Sequence, residues 1–315
     1  MATVVVIKQA YFIGYQQNQV FPLPGAEVRL TDKPWSEDEP ESSIKLPSDF
    51  LVRKPSTDVV VAASAMARDQ APSKQLDVLV RVGPVERILR VFGLRLWYRA
   101  AVGMGLTSPE PFEKVDLKWE LAWGGSDHGD DKWFAHDRNP VGRGYVRDSS
   151  SLLHKPGPQI EDPREPIRSH RTNPTPAGVG AIGRRWAPRI SYGGTYDEAW
   201  QRTRMPLPPV DFDERFNQCA TPELITPEYL RGGEQVDLHN VAAEGPIRFN
   251  LPRQDFFVGA ETQWGMVPYP VVLDTVVFNL VDGERLVEMV WRAVVRMPHP
   301  PRDLRAIEVR DKAAP

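Results

Sequence analysis

The sequence predicts a mainly β protein: antiparallel sheets in a sandwich-like arrangement, with long ordered loops and a few short helices. Three observations carry this expectation. Short runs rich in Val, Leu and aromatic residues, set apart by Pro and Gly, recur through the first 125 residues and again near the end. Proline accounts for 31 of 315 residues, about twice the usual share of roughly 5%, and proline breaks helices because it clashes with the preceding turn and lacks a donor. Hydrophobic residues make up 41% of the chain and charged residues 26%, enough apolar surface for a large core and too much for disorder.

Taken in order, "TVVVIK", "AEVRL", "STDVVVAASAMA", "QLDVLVRV", "RILRVF", "RLWYRAAV" and "KVDLKWELAW" each read as strands. Gly83-Pro84 lies between two alternating runs and predicts a hairpin turn. Residues 31–49 are acidic and proline-broken, a loop. Residues 125–190 hold no hydrophobic period, yet Trp133, Phe134, Tyr145, Ile160 and Trp186 give them anchors, so ordered coil is expected. Thr195 and Glu198 have capping-box spacing ahead of Ala199 and Trp200. Thr226, Pro227 and Gly232 fit the cap, first position and end of another short turn. Near the end, "LDTVVFNL" and "RLVEMVWRAVV" flank Val281-Asp282-Gly283-Glu284, and Asp-Gly between apolar runs predicts a type I′ turn because both central positions need positive φ. Val287, Met289, Trp291, Ala293 and Val295 then share one face. With no internal repeat and no linker, residues 1–315 are expected to form a single domain.

Composition narrows the function classes. Net charge is −3 and no long Lys/Arg run occurs, which argues against nucleic acid and anionic membrane as partners. One cysteine, Cys219, excludes an internal disulfide and a thiolate cage, and suits a reducing cytoplasm. The opening "MATVVVIKQAYFIGYQQ" lacks the basic region of a signal peptide, and no apolar run is long enough to span a bilayer. A cytoplasmic location is expected.

Candidate chemistry is sparse. "SDHGDDKWFAHDRN" carries Asp127, His128, Asp130, Asp131, His136 and Asp137, residue types that suit a hydrolytic metal site over 127–137. Its spacing matches no metal motif, and the competing reading is a solvated turn whose Asp side chains bond their own backbone. "NPVGRGY" offers a backbone nest for an anion but lacks the lysine and hydroxyl of a phosphate loop, and a plain tight turn competes. "GVGAIGRRWAPR" has glycines outside dinucleotide spacing. There is no Gly-x-Ser-x-Gly elbow, and Cys219 reads as a packed apolar residue. No catalytic residue, metal ligand or cofactor site is assigned, and the chain is not expected to be an enzyme.

"NPVGRGY", "NPTPAGVGAIGRRWAPR", "GGTYDEAWQRTRMPLPPVDFDERFNQCATPE", "YLRGGEQVDLHNVAAEGPIRFNLP" and "LDTVVFNLVDGERLVEMVWRA" occur in one order, preceded by "ELAWGGSD". In this the chain resembles the family catalogued as domain of unknown function 2169, bacterial accessory proteins of the type VI secretion system. The resemblance covers nearly the whole chain. It implies a cytoplasmic adaptor or chaperone that binds and stabilises a secreted effector (a toxin) or its spike-tip, PAAR-type domain and helps load it onto the spike protein. It brings no catalytic residues with it. Where members usually carry an Arg-Ala-Phe-Gly-Gly type stretch, this chain has Leu121-Ala122-Trp123-Gly124-Gly125, keeping the aromatic and losing a charge. The alternatives are a metal-dependent hydrolase using 127–137 and a structural component of the secretion baseplate.

"GGTYDEAWQRTRMPLPPVDFDERF", Gly193 to Phe216, has two readings: part of the cargo-binding surface, or a segment that only braces the fold. It reads as ordered coil over the sheet. Trp200 is expected to bury its ring, Pro206, Pro208 and Pro209 to stiffen the next stretch, and Phe212 and Phe216 to share one face of a turn capped by Asp211 or Asp213. Arg202, Arg204, Asp213, Glu214 and Arg215 are then candidates to face out. Arginines and aromatics together typify interface hot spots, so Trp200, Arg202, Arg204, Asp213, Arg215 and Phe216 are the partner-binding candidates.

Overall fold

The structure, a computed structural model, describes residues 2–311 except 16–18, 69–70, 130–131, 264 and 297–303. Its strands of four residues or more are β1 (Ala2–Ile13), β2 (Val20–Leu23), β3 (Asp58–Ala62), β4 (Gln75–Val82), β5 (Val85–Phe92), β6 (Ser126–Gly129), β7 (Lys132–Ala135), β8 (Gln235–His239), β9 (Ile247–Asn250), β10 (Phe256–Thr262), β11 (Gly265–Tyr269), β12 (Val272–Asn279), β13 (Leu286–Arg296) and β14 (Leu304–Asp311). The protein is mainly β, as the sequence predicts, and its α-helix among the described residues is short, α1 (Glu198–Thr203).

One five-stranded sheet has the order β2-β1-β13-β12-β3. Its neighbours are antiparallel except β12 and β3, which run parallel from Thr275↔Asp58 to Asn279↔Ala62. The second sheet has the order Ile160–Glu161, β5, β4, β8, β9 and is antiparallel throughout. Both sheets feed one hydrophobic cluster: Val59, Val61, Val276, Phe278 and Met289 from the first, Val78, Val80, Leu89, Val236 and Leu238 from the second. The ring of Phe249 on β9 meets Phe278 on β12 edge-on at 6.4 Å. A third sheet, β11-β10-β14, packs Val258, Ala260 and Ile307 against Ala293 and Val295 of β13.

Both predicted turns occur. Val82 pairs Val85 across Gly83-Pro84, with Gly83 at φ +52°. Asp282 and Gly283 have φ of 56° and 81°, and Glu284 N–H closes the turn on the Val281 carbonyl at 2.9 Å. The turn sits at the tip of a longer connection, since the last ladder pair is Asn279↔Leu286. Other expectations need correction. "AEVRL" is not a strand: Arg29 N–H donates to the Asp49 carboxylate at 2.8 Å, the Ser48 hydroxyl donates to the Arg29 and Leu30 carbonyls, and one backbone bond from Asp49 N–H to the Arg29 carbonyl at 2.7 Å is not continued into a ladder. "RLWYRAAV" shortens to Trp97–Arg99. Residues 125–190 are mostly coil, as expected, although β6 and β7 pair as a hairpin from Ser126↔Ala135 to Gly129↔Lys132. The turn placed at Pro227 forms instead at Pro222–Leu224, with Thr221 before it, while the Thr226 hydroxyl bonds the Thr57 carbonyl at 3.1 Å.

Charged groups lock the sheet margins. Asp162, beside the short Ile160–Glu161 strand, accepts a fork from Arg164 and a 2.8 Å bond from the buried Arg87. The Arg164 hydrogen bonds, opposed by burial and helped by Arg87, hold its carboxyl down to about 2. A carboxylate depressed below its unfolded value of 3.8 stabilises the fold fully above that pH, and the contribution is lost as pH falls towards 2. Asp162→Asn is therefore expected to lower the melting temperature at pH 6 and to flatten its fall between pH 4 and pH 2 (roughly the window set by the two pKa values). Parallel curves for the two proteins would contradict this.

Candidate functional site

The 189–217 segment is built by local bonds rather than by a ladder. It enters through a 3-10 turn at Arg189–Tyr192, carries α1, and leaves through a second 3-10 turn at Glu214–Asn217. Its base is closed by Thr195, whose N–H and hydroxyl bond the Asp211 carboxylate at 3.0 and 2.8 Å. Thr195 is therefore not the helix cap. Asp197 caps α1, accepting from Trp200 N–H at 2.8 Å, and Glu198 is the first helical residue rather than the capping partner. Asp211 and Asp213 are both held below the usual carboxylate range, the first by its bonds from Thr195 and the second by bonds from Arg215.

Trp200 is half-buried, not enclosed as expected. Its indole N–H donates to the Leu207 carbonyl at 2.8 Å and its ring meets Tyr196 edge-on at 4.7 Å. The indole thereby holds the proline-rich return stretch against α1. Phe212 and Phe216 do share a face, with centroids 5.8 Å apart, and Asp213 caps their turn through Arg215 N–H. Arg189 braces them from below, donating to the Phe216 carbonyl at 3.1 Å and the Ile182 carbonyl at 2.5 Å.

Arg202, Arg204 and Arg215 are exposed, as expected. Their partners are local: Glu198 at 3.5 Å for Arg202, the Pro208 carbonyl for Arg204, and a fork onto Asp213 for Arg215, which also lies 4.3 Å over the Tyr192 ring. Asp213, Glu214 and Phe216 are half-buried, so they brace the segment as much as they face solvent; Glu214 reaches Arg53 at 3.5 Å.

Sequence reasoning missed the apolar side of the surface. Tyr196, Met205, Leu207 and Val210 expose 57, 64, 59 and 84% of their area, and Ile190 is exposed beside them. Isolated exposed apolar residues need no explanation, but several on one short segment form the kind of surface that interaction sites use. The signal was the stretch "MPLPPV": prolines forbid both helix and ladder there, so its Met, Leu and Val have no regular element through which to turn inward.

Among its described residues the Asp/His stretch does not gather its ligands. Asp127 and His128 lie on β6, Asp130 and Asp131 lie outside the described residues, and His136 and Asp137 follow β7. Among the described residues no three His, Cys, Asp or Glu side chains group to hold a metal ion. "NPVGRGY" is a structural lock: the buried Asn139 donates to the Trp119 and Trp123 carbonyls at 2.9 Å, and its own carbonyl accepts from Gly125 at 2.8 Å. Gly124 has φ +141°, and a Cβ there would stand 2.2 Å from that carbonyl, which is why two glycines follow Trp123. Cys219 is buried, and burial pushes its thiol up to about 12, so it packs rather than reacts. No described helix is long and apolar enough to cross a membrane.

Residues 1–292 match the family model described as "Uncharacterized protein conserved in bacteria (DUF2169)". Neither the curated proteins nor the solved structures gave a match.

Proposed function

The chain belongs to the DUF2169 family of conserved bacterial proteins, and on that premise we propose that it is an adaptor or chaperone of type VI secretion. It binds a secreted effector or that effector's spike-tip, PAAR-type domain in the cytoplasm, stabilises it, and helps load it onto the spike. The observation that carries this reading is that Tyr196, Met205, Leu207 and Val210 are exposed together with Arg202, Arg204 and Arg215 on one short segment. An apolar surface that also carries arginines is what a protein partner covers, and the closed base of the segment presents it with little ordering left to do. This surface offers a partner shape and charge, with no nucleophile or acid–base pair among its side chains.

Deleting the gene in the native host is the direct test. The cargo is expected to fall in abundance and in secretion, and affinity purification of the tagged adaptor from the same host is expected to bring the cargo down. Unchanged cargo level together with unchanged secretion would end the adaptor reading. A protein that co-purifies only with spike or baseplate components would favour a structural role.

A further inference from the structure

Three stretches that the proposed surface leaves unused meet at one place. Ala135, His136, Asp137, Pro140 and Val141 from the Asp/His and "NPVGRGY" stretches face Gly183–Trp186 from the glycine-rich one, with residues 40–44 along the side. Between them lies a groove of about 610 Å³. Its apolar lining is Ile44, Val141 and Trp186, all packed on the main core, and Trp186 is held edge-on against Trp119 at 5.9 Å.

The groove is lined by donors that the chain leaves unanswered. Arg184 and Arg185 are adjacent and exposed, and neither side chain makes a hydrogen bond or ion pair among the described residues. His136 is only 9% exposed, yet it lines the groove. Arg138 N–H donates to its Nδ1 at 3.2 Å, so the ring proton sits on Nε2, which has no acceptor from the described chain. Three carboxylates also border the groove. Asp32 is occupied by Ser48 N–H at 2.7 Å, Asp137 lies 3.5 Å from His136 Nδ1 with its side chain 76% exposed, and Glu41 is exposed. Against Arg184 and Arg185 these carboxylates leave the groove no net positive charge, so a strand charged at every unit gains nothing overall, and only single carboxylates seated on the two arginines do.

Beside it, Arg184 and Asp32 also line a second depression of about 140 Å³, with Phe50, Val52 and Phe216 on its walls. Phe50 and Val52 are 72 and 53% exposed, and Phe216 belongs to the brace of the proposed contact segment.

We propose that this groove, with the depression beside it, binds an extended, acidic-apolar segment of the cargo, whose carboxylates are taken by Arg184, Arg185 and the Nε2–H of His136 while its apolar side chains lie on Trp186 and Val141 at one end and Phe50 and Val52 at the other. The cargo as occupant rests on the adaptor reading; the chemistry of the groove does not.

The probe is a fluorescein-labelled ten-residue peptide alternating Leu and Asp, with its Leu/Asn counterpart and a labelled thymidine decamer as controls, titrated against the full chain by anisotropy. The Asp peptide is expected to bind about tenfold or more tighter than the Asn peptide, the margin of a charge-assisted pair, and more tightly than the decamer. R184E/R185E is expected to abolish that preference with an unchanged melting temperature, since both side chains lack partners to lose. H136Q is expected to weaken the Asp peptide several-fold. Equal binding of the two peptides, stronger binding of the decamer, or full binding by a folded R184E/R185E each overturns the proposal. Cargo pull-down separates the two readings: cargo retained equally by wild type and R184E/R185E removes the groove and leaves the adaptor, while a groove that prefers the Asp peptide in a protein that captures no cargo removes the adaptor and leaves the groove.

Discussion

Replacing Arg202, Arg204 and Arg215 together by alanine is expected to abolish cargo pull-down while moving the melting temperature by only about 3 °C, since exposed substitutions usually stay within ~0.5 kcal/mol each. All three side chains are exposed, and their partners are Glu198, the Pro208 carbonyl and Asp213, all within the same segment. Screened pairs of this kind add little to stability. Across an interface the same guanidiniums lose water and gain fixed partners, and arginine is among the residues whose truncation there costs about 2 kcal/mol or more. Leu207→Asp with Val210→Asp is a second, independent variant: both residues are exposed, so the fold is expected to tolerate it while the exposed apolar surface is broken. Retained binding in both variants, or unfolding of the arginine variant, would make the segment a scaffold.

The largest effect on stability is expected at Lys54. Its ammonium is buried and bonds the Asp58 carboxylate at 2.8 Å and the Thr275 hydroxyl at 2.7 Å. Burial alone would push this lysine down; Asp58, with Cys219 and Asp274, outweighs it and the pKa rises, so the side chain is charged at neutral pH. Its stabilisation is present below the ordinary lysine value and is lost only as strongly alkaline pH passes the raised one. Lys54→Met leaves the Asp58 carboxylate buried without its counter-charge, a change that costs about 3–5 kcal/mol. Urea unfolding is expected to show that loss with an unchanged slope. Adding Asp58→Leu is expected to recover only part, because Asp58 also accepts the Cys219 N–H at 2.7 Å and that donor would stay unpaired. A loss below about 1 kcal/mol in the single variant would mean that the pair is solvated. Close by, Arg292 ties Asp274 and the Asp49 and Leu51 carbonyls, so the two buried cations together pin residues 49–58 to the sheet.

What the sequence could reveal followed the range of the forces involved. Gly83-Pro84 and Asp282-Gly283 were legible because a turn's demand on φ is met by its own residues. The cap of α1 was misplaced by two positions because Thr195 and Asp197 are both good caps, and the choice falls to Asp211, which claims Thr195 from across the segment. "AEVRL" has a strand's composition but no strand beside it; its partners are the side chains of Asp49 and Ser48 and the Asp49 N–H. The β6–β7 hairpin was hidden by residues that disfavour strands, yet Asp127↔Phe134 and His128↔Trp133 pair all the same. At the 193–216 segment the arginines announced themselves by charge, while nothing in the local sequence but the flanking prolines signalled that Met205, Leu207 and Val210 would be exposed. The Arg184–His136 groove was not legible at all, since its walls are distant in sequence and meet only in the folded chain.

The pairing of β1 with β13 sets a timetable for the chain's own birth. Ala2 faces Arg296 and Phe12 faces Leu286, so β1 waits for a strand made more than 270 residues later. While the ribosome is still elongating, "TVVVIK" emerges with no partner on that side, and β12 and β3 have no β13 to carry them to it. The sheet therefore closes only once residue 296 has emerged, on the slow side of the range set by contact order. A nascent chain that stalls before residue 286 exposes an apolar strand edge of the kind that seeds aggregation, so the supply of working protein depends on finishing translation as much as on the strength of the finished core.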